Sequence, residues 1–170
     1  MIIHIFTKFF TKECDNALGM SNGLIKDCQI SASSAVSHNY APHLGRYNSA
    51  NYWAPSLRFW RQKHYLQIDF LKKTRVTRVL VQSLRGTRKV IAYSLMSSDN
   101  NKIWTNVNNI SYLSYTDGSA HDTISRPQES RYYRFVIEEA SDAGREYDQY
   151  IAVRLEFFGC YLDSEEMTSN

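Results

Sequence analysis

An all-β fold, an antiparallel sandwich or barrel, is predicted for this 170-residue chain by three observations. Short runs alternate apolar and polar residues with a period of two, and polar stretches containing Asn, Asp, Ser and Gly separate them. The aromatic share is high at 14%, with 12 tyrosines and 8 phenylalanines, whose flat side chains pack well on a pleated surface. No amphipathic helix longer than two turns is evident. No proline- or glycine-rich linker divides the chain, so one domain is expected.

Taken in order, the elements begin after "MIIHIFTKFF". That stretch is apolar for only a few residues before Lys8, too short for an export-signal core or a membrane span. A long irregular stretch runs from Ser31 to Ser56. In "HYLQIDFL", Leu66, Ile68 and Phe70 lie opposite Gln67 and Asp69, and "RVTRVLVQS" follows as a second strand rich in β-branched residues. "KVIAYSLMSSD" runs into the turn "DNN", and a second irregular stretch covers Asn106 to Ser130. "RYYRFVIEEA" sets Tyr133, Phe135 and Ile137 on one face. In "YIAVRLEFFGC", Ile151, Val153, Leu155 and Phe157 share the core face, and Arg154 and Glu156 fall on the other. Long loops on such a scaffold are where binding usually resides.

Composition excludes more than it selects. Charged residues make up 22% and the net charge is +3, which solubility alone explains. The cationic run "KKTRVTR" reads as a solvated strand face, so no nucleic-acid partner is expected. No nucleophile elbow, HExxH or phosphate-binding glycine loop appears, and an enzyme is not indicated. Three cysteines, Cys14, Cys28 and Cys160, permit at most one internal bridge, and with no CxxC they form no zinc motif. Asn109 in "NIS" is a glycosylation sequon.

The order of "CDNALGMSNGLIKDCQISASSA", "GRYNSANYWAP", "YLQIDF", "YSLMSSDNNKIW", "RYYRFVI" and "VRLEFFGC" resembles the discoidin, or coagulation factor V/VIII type C, domain. Within that family it is nearest in likeness to the collagen-binding discoidin domain receptors, through "ALGM" and through Leu162 and Asp163 after the last cysteine. The resemblance covers residues 14–160, with 1–13 as an N-terminal extension and 161–170 as a tail or linker. It implies a jelly-roll-like, galactose-binding-like β-sandwich whose first and last cysteines, Cys14 and Cys160, are bridged, leaving Cys28 free. The receptors carry a second cysteine pair at the positions of Ala54 and Ala152, and the joint loss implies that these two face each other. Where they read collagen with a tryptophan and an asparagine, this chain has Val36 and Tyr150.

The resemblance also implies that three loops project from one end: Val36 to Leu44, Asn48 to Tyr52, and Leu84 to Lys89. Tyr40, Leu44, Tyr52 and Leu84 are the expected aromatic or apolar tips, with Arg85, Arg88 and Lys89 as nearby cations. Such a set suits an anionic phospholipid surface, a cell-surface glycan or a matrix protein. The competing reading folds Tyr40 and Leu44 back onto the barrel end and leaves the cations solvated. Asp69 is read as structural, paired with Arg46 or Arg154, because a carboxylate in an apolar strand needs a cation. Trp53, Trp60 and Trp104 are read as core plugs. Some relatives bind calcium, but no dense carboxylate loop marks a metal site here, and no cofactor is expected. The expected function is noncatalytic ligand recognition in cell adhesion, with the ectodomain of a collagen-reading receptor kinase as the alternative. A domain that relies on a terminal bridge belongs in an oxidising space, secreted or on the extracellular face of a membrane protein.

Overall fold

The computed structural model describes residues 14–56, 62–84, 88–141 and 150–162. Trp60, Arg85, the extension 1–13 and most of the tail lie outside these residues. Among the described residues nine strands are paired antiparallel: β1 (Asn16–Ala17), β2 (Ile30–Ala32), β3 (His64–Ser83), β4 (Val90–Ser98), β5 (Thr105–Asn106), β6 (Ser111–Tyr112), β7 (Ser119–Thr123), β8 (Glu129–Ala140) and β9 (Val153–Tyr161). Among the described residues the only helical pieces are 3₁₀ turns at Asp27–Gln29, His38–Tyr40 and Pro42–Gly45.

The two strands expected at 64–71 and 75–83 are one strand of 20 residues that serves both layers of the sandwich. Its first half, His64–Asp69, pairs with β8 and β2. Its second half, from Thr74 onward, pairs with β9 along one edge and, on the other, with β8 at Thr74 and Arg75 and then with β7 from Arg78. The register shifts between Asp69 and Thr74, where Leu71 takes φ 64° and donates its N–H to Asp69 Oδ1 at 2.8 Å. A left-handed leucine is costly, and the Asp69 side chain closes the bend locally. The two layers are thus β2–β3–β8–β4, edged by β5 and β6, and β1–β9–β3–β7.

Between them the alternating residues interdigitate. Leu66, Ile68, Leu95, Tyr133, Phe135, Val153, Leu155 and Phe157 are fully buried in one core. Phe70 meets Tyr133 and Phe157 edge-on, and Tyr93 stacks on Phe135 with centroids 4.6 Å apart. The buried phenols retain partners: Tyr93 donates to Asp122 Oδ2 at 2.7 Å, and Tyr133 donates to the Gln128 carbonyl at 2.6 Å. Burial, above all, pushes both hydroxyls far up in pKa.

Cys14 and Cys160 are bridged, with Cα atoms 4.8 Å apart, and Cys28 is exposed and free, as the resemblance implied. The preceding Gly159 is required by close approach, since a Cβ there would stand 1.8 Å from the Arg75 carbonyl oxygen. Glu156 departs from expectation. It lies off the main core face but is only 1% exposed, because residues 18–21 cover that side of β9. Its carboxylate accepts the backbone N–H groups of Met20 at 3.1 Å, Ser21 at 2.7 Å and Phe157 at 3.0 Å.

Trp53 bridges Val153 antiparallel, so the next pair in register is Ala54 opposite Ala152, both fully buried. The double variant Ala54→Cys/Ala152→Cys is therefore expected to oxidise spontaneously and to stabilise the domain by about 2–4 kcal/mol relative to its reduced form. Non-reducing mass mapping and thermal melting check this; two persistently free thiols would disprove the pairing.

Candidate ligand-binding end

The ends of β3, β4, β8 and β9 come together where Ser83 pairs with Val153 and Val90 with Ala140. The described parts of the three loops converge over these strand ends. Asn51 Nδ2 donates to the Asn39 carbonyl at 2.5 Å, Ala54 N–H to the Tyr40 carbonyl at 3.4 Å, and Leu84 N–H to the Ala152 carbonyl at 3.1 Å. Tyr150, just before β9, closes the group: its carbonyl accepts from Arg88 N–H at 3.0 Å, and its ring lies nearly parallel to Tyr40, centroids 6.2 Å apart.

Beside this pair is a second aromatic unit. The Arg154 guanidinium lies over the Tyr52 ring, 3.9 Å from its centroid, while Nε donates to the Asn51 carbonyl at 2.9 Å and an Nη to Gln82 Oε1 at 3.1 Å. These contacts fix a planar cation on a planar ring. Tyr40, Leu44, Tyr52 and Leu84 are all half-buried, and Tyr150 is 45% exposed. Of the expected cations, Arg88 is committed to structure through Nε to the Ser141 carbonyl at 2.7 Å, and Lys89 lies near the Tyr115 ring.

The assignment of Asp69 to Arg46 or Arg154 is corrected. Its partner is Arg131, which donates from Nε at 2.7 Å and from Nη2 at 2.8 Å. Burial alone would raise the Asp69 carboxyl, and the Arg131 hydrogen bonds, the Leu71 N–H and the Arg131 charge outweigh it and hold it below its usual range. Arg46 instead bridges the Ile25 carbonyl and the Asp27 carboxylate, both at 2.5 Å. Trp53 is a core plug, fully buried, with its indole N–H on the Ser34 carbonyl at 2.9 Å. Trp104 is not: it is half-exposed and lies on Arg134, 3.8 Å from guanidinium carbon to ring centroid, with Tyr65 on the same cation at 4.1 Å. Sequence reasoning noted Tyr150 only as a replaced asparagine. Its position beside "IAV" was the available signal for a place at the loop end.

The architecture that results is a β-sandwich with loops clustered at one end, and it has solved counterparts. The family 32 carbohydrate-binding module of NanJ from C. perfringens, solved in complex with galactose, has this fold: TM-score 0.59 and 13% identity, over 85% of this chain and 98% of that one. The particular family follows from sequence, because residues 29–157 match the F5/8 type C domain, and the chain belongs to that family. Neuropilin-1 of Xenopus laevis is 34% identical over 170 residues, 89% of this chain and 17% of that protein. The non-catalytic subunit of the venom prothrombin activator pseutarin-C of Pseudonaja textilis is 29% identical over 164 residues, 86% of this chain and 11% of that protein. The chain thus spans less than a fifth of these relatives.

Proposed function

We propose that the chain is a noncatalytic extracellular recognition module, used in adhesion, that captures a cell-surface glycan through Tyr40, Tyr52 and Tyr150. The observation that carries this reading is the pair of aromatic units at the loop end, one topped by the fixed guanidinium of Arg154. Aromatic faces bind the C–H faces of sugar rings, and Arg, Asn and backbone groups around them bind hydroxyls. The end fits a membrane less well. Among the described residues the exposed large apolar side chains are Leu24, Leu71, Ile103, Ile110, Tyr112 and Tyr150, so neither Leu44 nor Leu84 stands out as a tip to enter lipid. The fold and terminal disulfide support an oxidising, extracellular setting.

A glycan array probed with the whole chain, with phosphatidylserine vesicles and fibrillar collagen as parallel arms, tests the ligand class. The triple variant Tyr40→Ala/Tyr52→Ala/Tyr150→Ala is expected to lose glycan binding by roughly tenfold to a hundredfold at an unchanged melting temperature, on the scale of one or two lost aromatic contacts. Undiminished binding by that variant would remove the loop end as the site. Capture of vesicles or collagen alone would replace the glycan with a lipid or a matrix protein.

A further inference from the structure

Between β5 and β6 two adjacent asparagines play opposite parts. Asn108 turns its amide inward: Oδ1 accepts the Leu95 N–H at 2.6 Å, and Nδ2 donates to the Ser111 hydroxyl at 2.8 Å. Those bonds fix the turn and leave Asn109 exposed beside it. Asn109-Ile110-Ser111 is the single Asn-X-Ser/Thr triplet in the 170-residue sequence. Two clefts of about 500 Å³ and 510 Å³ flank the turn, and Asn109 and Ile110 line both. Ile110 and Tyr112 are 51% and 71% exposed, so apolar surface lies within the triplet and immediately after it.

We propose that Asn109 carries an N-linked glycan whose first sugars lie over Ile110 in the cleft walled by Lys63, Ser94 and Glu138. This rests on the extracellular reading given above, because the modification belongs to the secretory route. In the transfer, Asn109 Nδ2 forms a bond to the anomeric carbon of an oligosaccharide carried on a polyprenyl diphosphate. The bond from that carbon to the diphosphate oxygen breaks, the lipid diphosphate leaves, and the amide loses one proton. No oxidation or reduction occurs.

Electrostatics choose between the clefts. In the first, Glu138 is tied to the Lys63 ammonium and accepts from the Ser94 hydroxyl at 2.7 Å, so the wall is neutral overall but rich in groups that bind hydroxyls. The second contains Arg126, for which no carboxylate partner is found among the described residues, and suits an anion better than a neutral N-acetylated sugar. A glycan here would also cover the edge of β4, which β5 and β6 guard with only two residues each. Bare sheet edges invite pairing with other chains, and a bulky sugar blocks it.

The test expresses the whole chain behind a heterologous secretion signal in mammalian cells, so that export is imposed and no ligand is needed. Peptide mass mapping is expected to find Asn109 glycosylated and converted to Asp on enzymatic release. Asn109→Gln should be unmodified, and Ser111→Thr should remain modified. Unmodified Asn109 in secreted, folded protein would overturn the site, without touching the loop-end reading. For the cleft, trimming to the first sugar should preserve the melting temperature of the intact glycoprotein, while Asn109→Gln should melt about 2–4 °C lower. Equal melting temperatures for the glycosylated protein and Asn109→Gln would overturn the docking of the sugar.

Discussion

Replacing Cys14 and Cys160 together by alanine is expected to lower the unfolding free energy by roughly 5 kcal/mol, the chain-entropy value for so long a loop. The bridge joins residues 146 positions apart, so without it the unfolded chain regains a large volume of conformations. The remaining ties at this end are non-covalent: β1 has only two residues, Thr77 Oγ1 donates to the Cys14 carbonyl at 3.0 Å, and Arg78 pairs with the Asp15 carboxylate at 3.0 Å. A loss of this size is a large share of the 5–15 kcal/mol typical of a folded domain. Urea denaturation of the oxidised wild type and the double variant measures it, and Cys28→Ser, which removes an exposed free thiol, serves as the control within about 0.5 kcal/mol. A double variant within about 1 kcal/mol of wild type would show that the unfolded chain is already constrained by other means.

Glu156→Gln is the second large effect. Of the three N–H groups that Glu156 accepts, glutamine can keep two on its carbonyl oxygen, but its amide NH₂ then faces a third donor, Ser21 N–H. A buried N–H stripped of a charged acceptor costs about 1.5–3 kcal/mol. Glu156→Ala removes every acceptor and opens a cavity as well, so it is expected to cost more, on the order of 3–5 kcal/mol. The effect should be local in origin: amide exchange of Met20 and Ser21 should accelerate before that of β3. A Glu156→Gln protein within about 0.5 kcal/mol of wild type, with Met20 still protected, would contradict the arrangement.

Glu156 also shows where reading from sequence stops. Alternation correctly separated Leu155 and Phe157 from Glu156, because pleating alone decides which side of a strand a residue faces. Whether that other side is solvent or protein depends on where residues 18–21 fold back, and no local pattern reports it. Asp69 failed for a similar reason. Its need for a cation was legible, but Arg131 lies 62 positions away and meets it only because β8 runs beside β3. Trp104 looked like core by residue type, yet it follows a turn at the sheet edge, where it covers Arg134 on the outer face. Trp53, read by the same residue-type argument, is core, whereas the Cys14–Cys160 pair and the facing alanines were recovered through ordered motifs, which encode long-range geometry that composition and periodicity lack. The loop end was legible in the same way, and its aromatic stack was not, since Tyr40 and Tyr150 become neighbours only in space.

One strand length has a mechanical consequence. β9 begins at Val153 beside the loop end and reaches Cys160 seven residues later, a span of about 23 Å at the rise of an extended strand. The disulfide therefore sits at the pole opposite the aromatic units. Tension applied through the backbone flanking Cys14 and Cys160 passes across a covalent sulfur bridge and bypasses the hydrogen-bonded ladders between them. The load path of such a tension stays at that pole, and the loop end lies outside it.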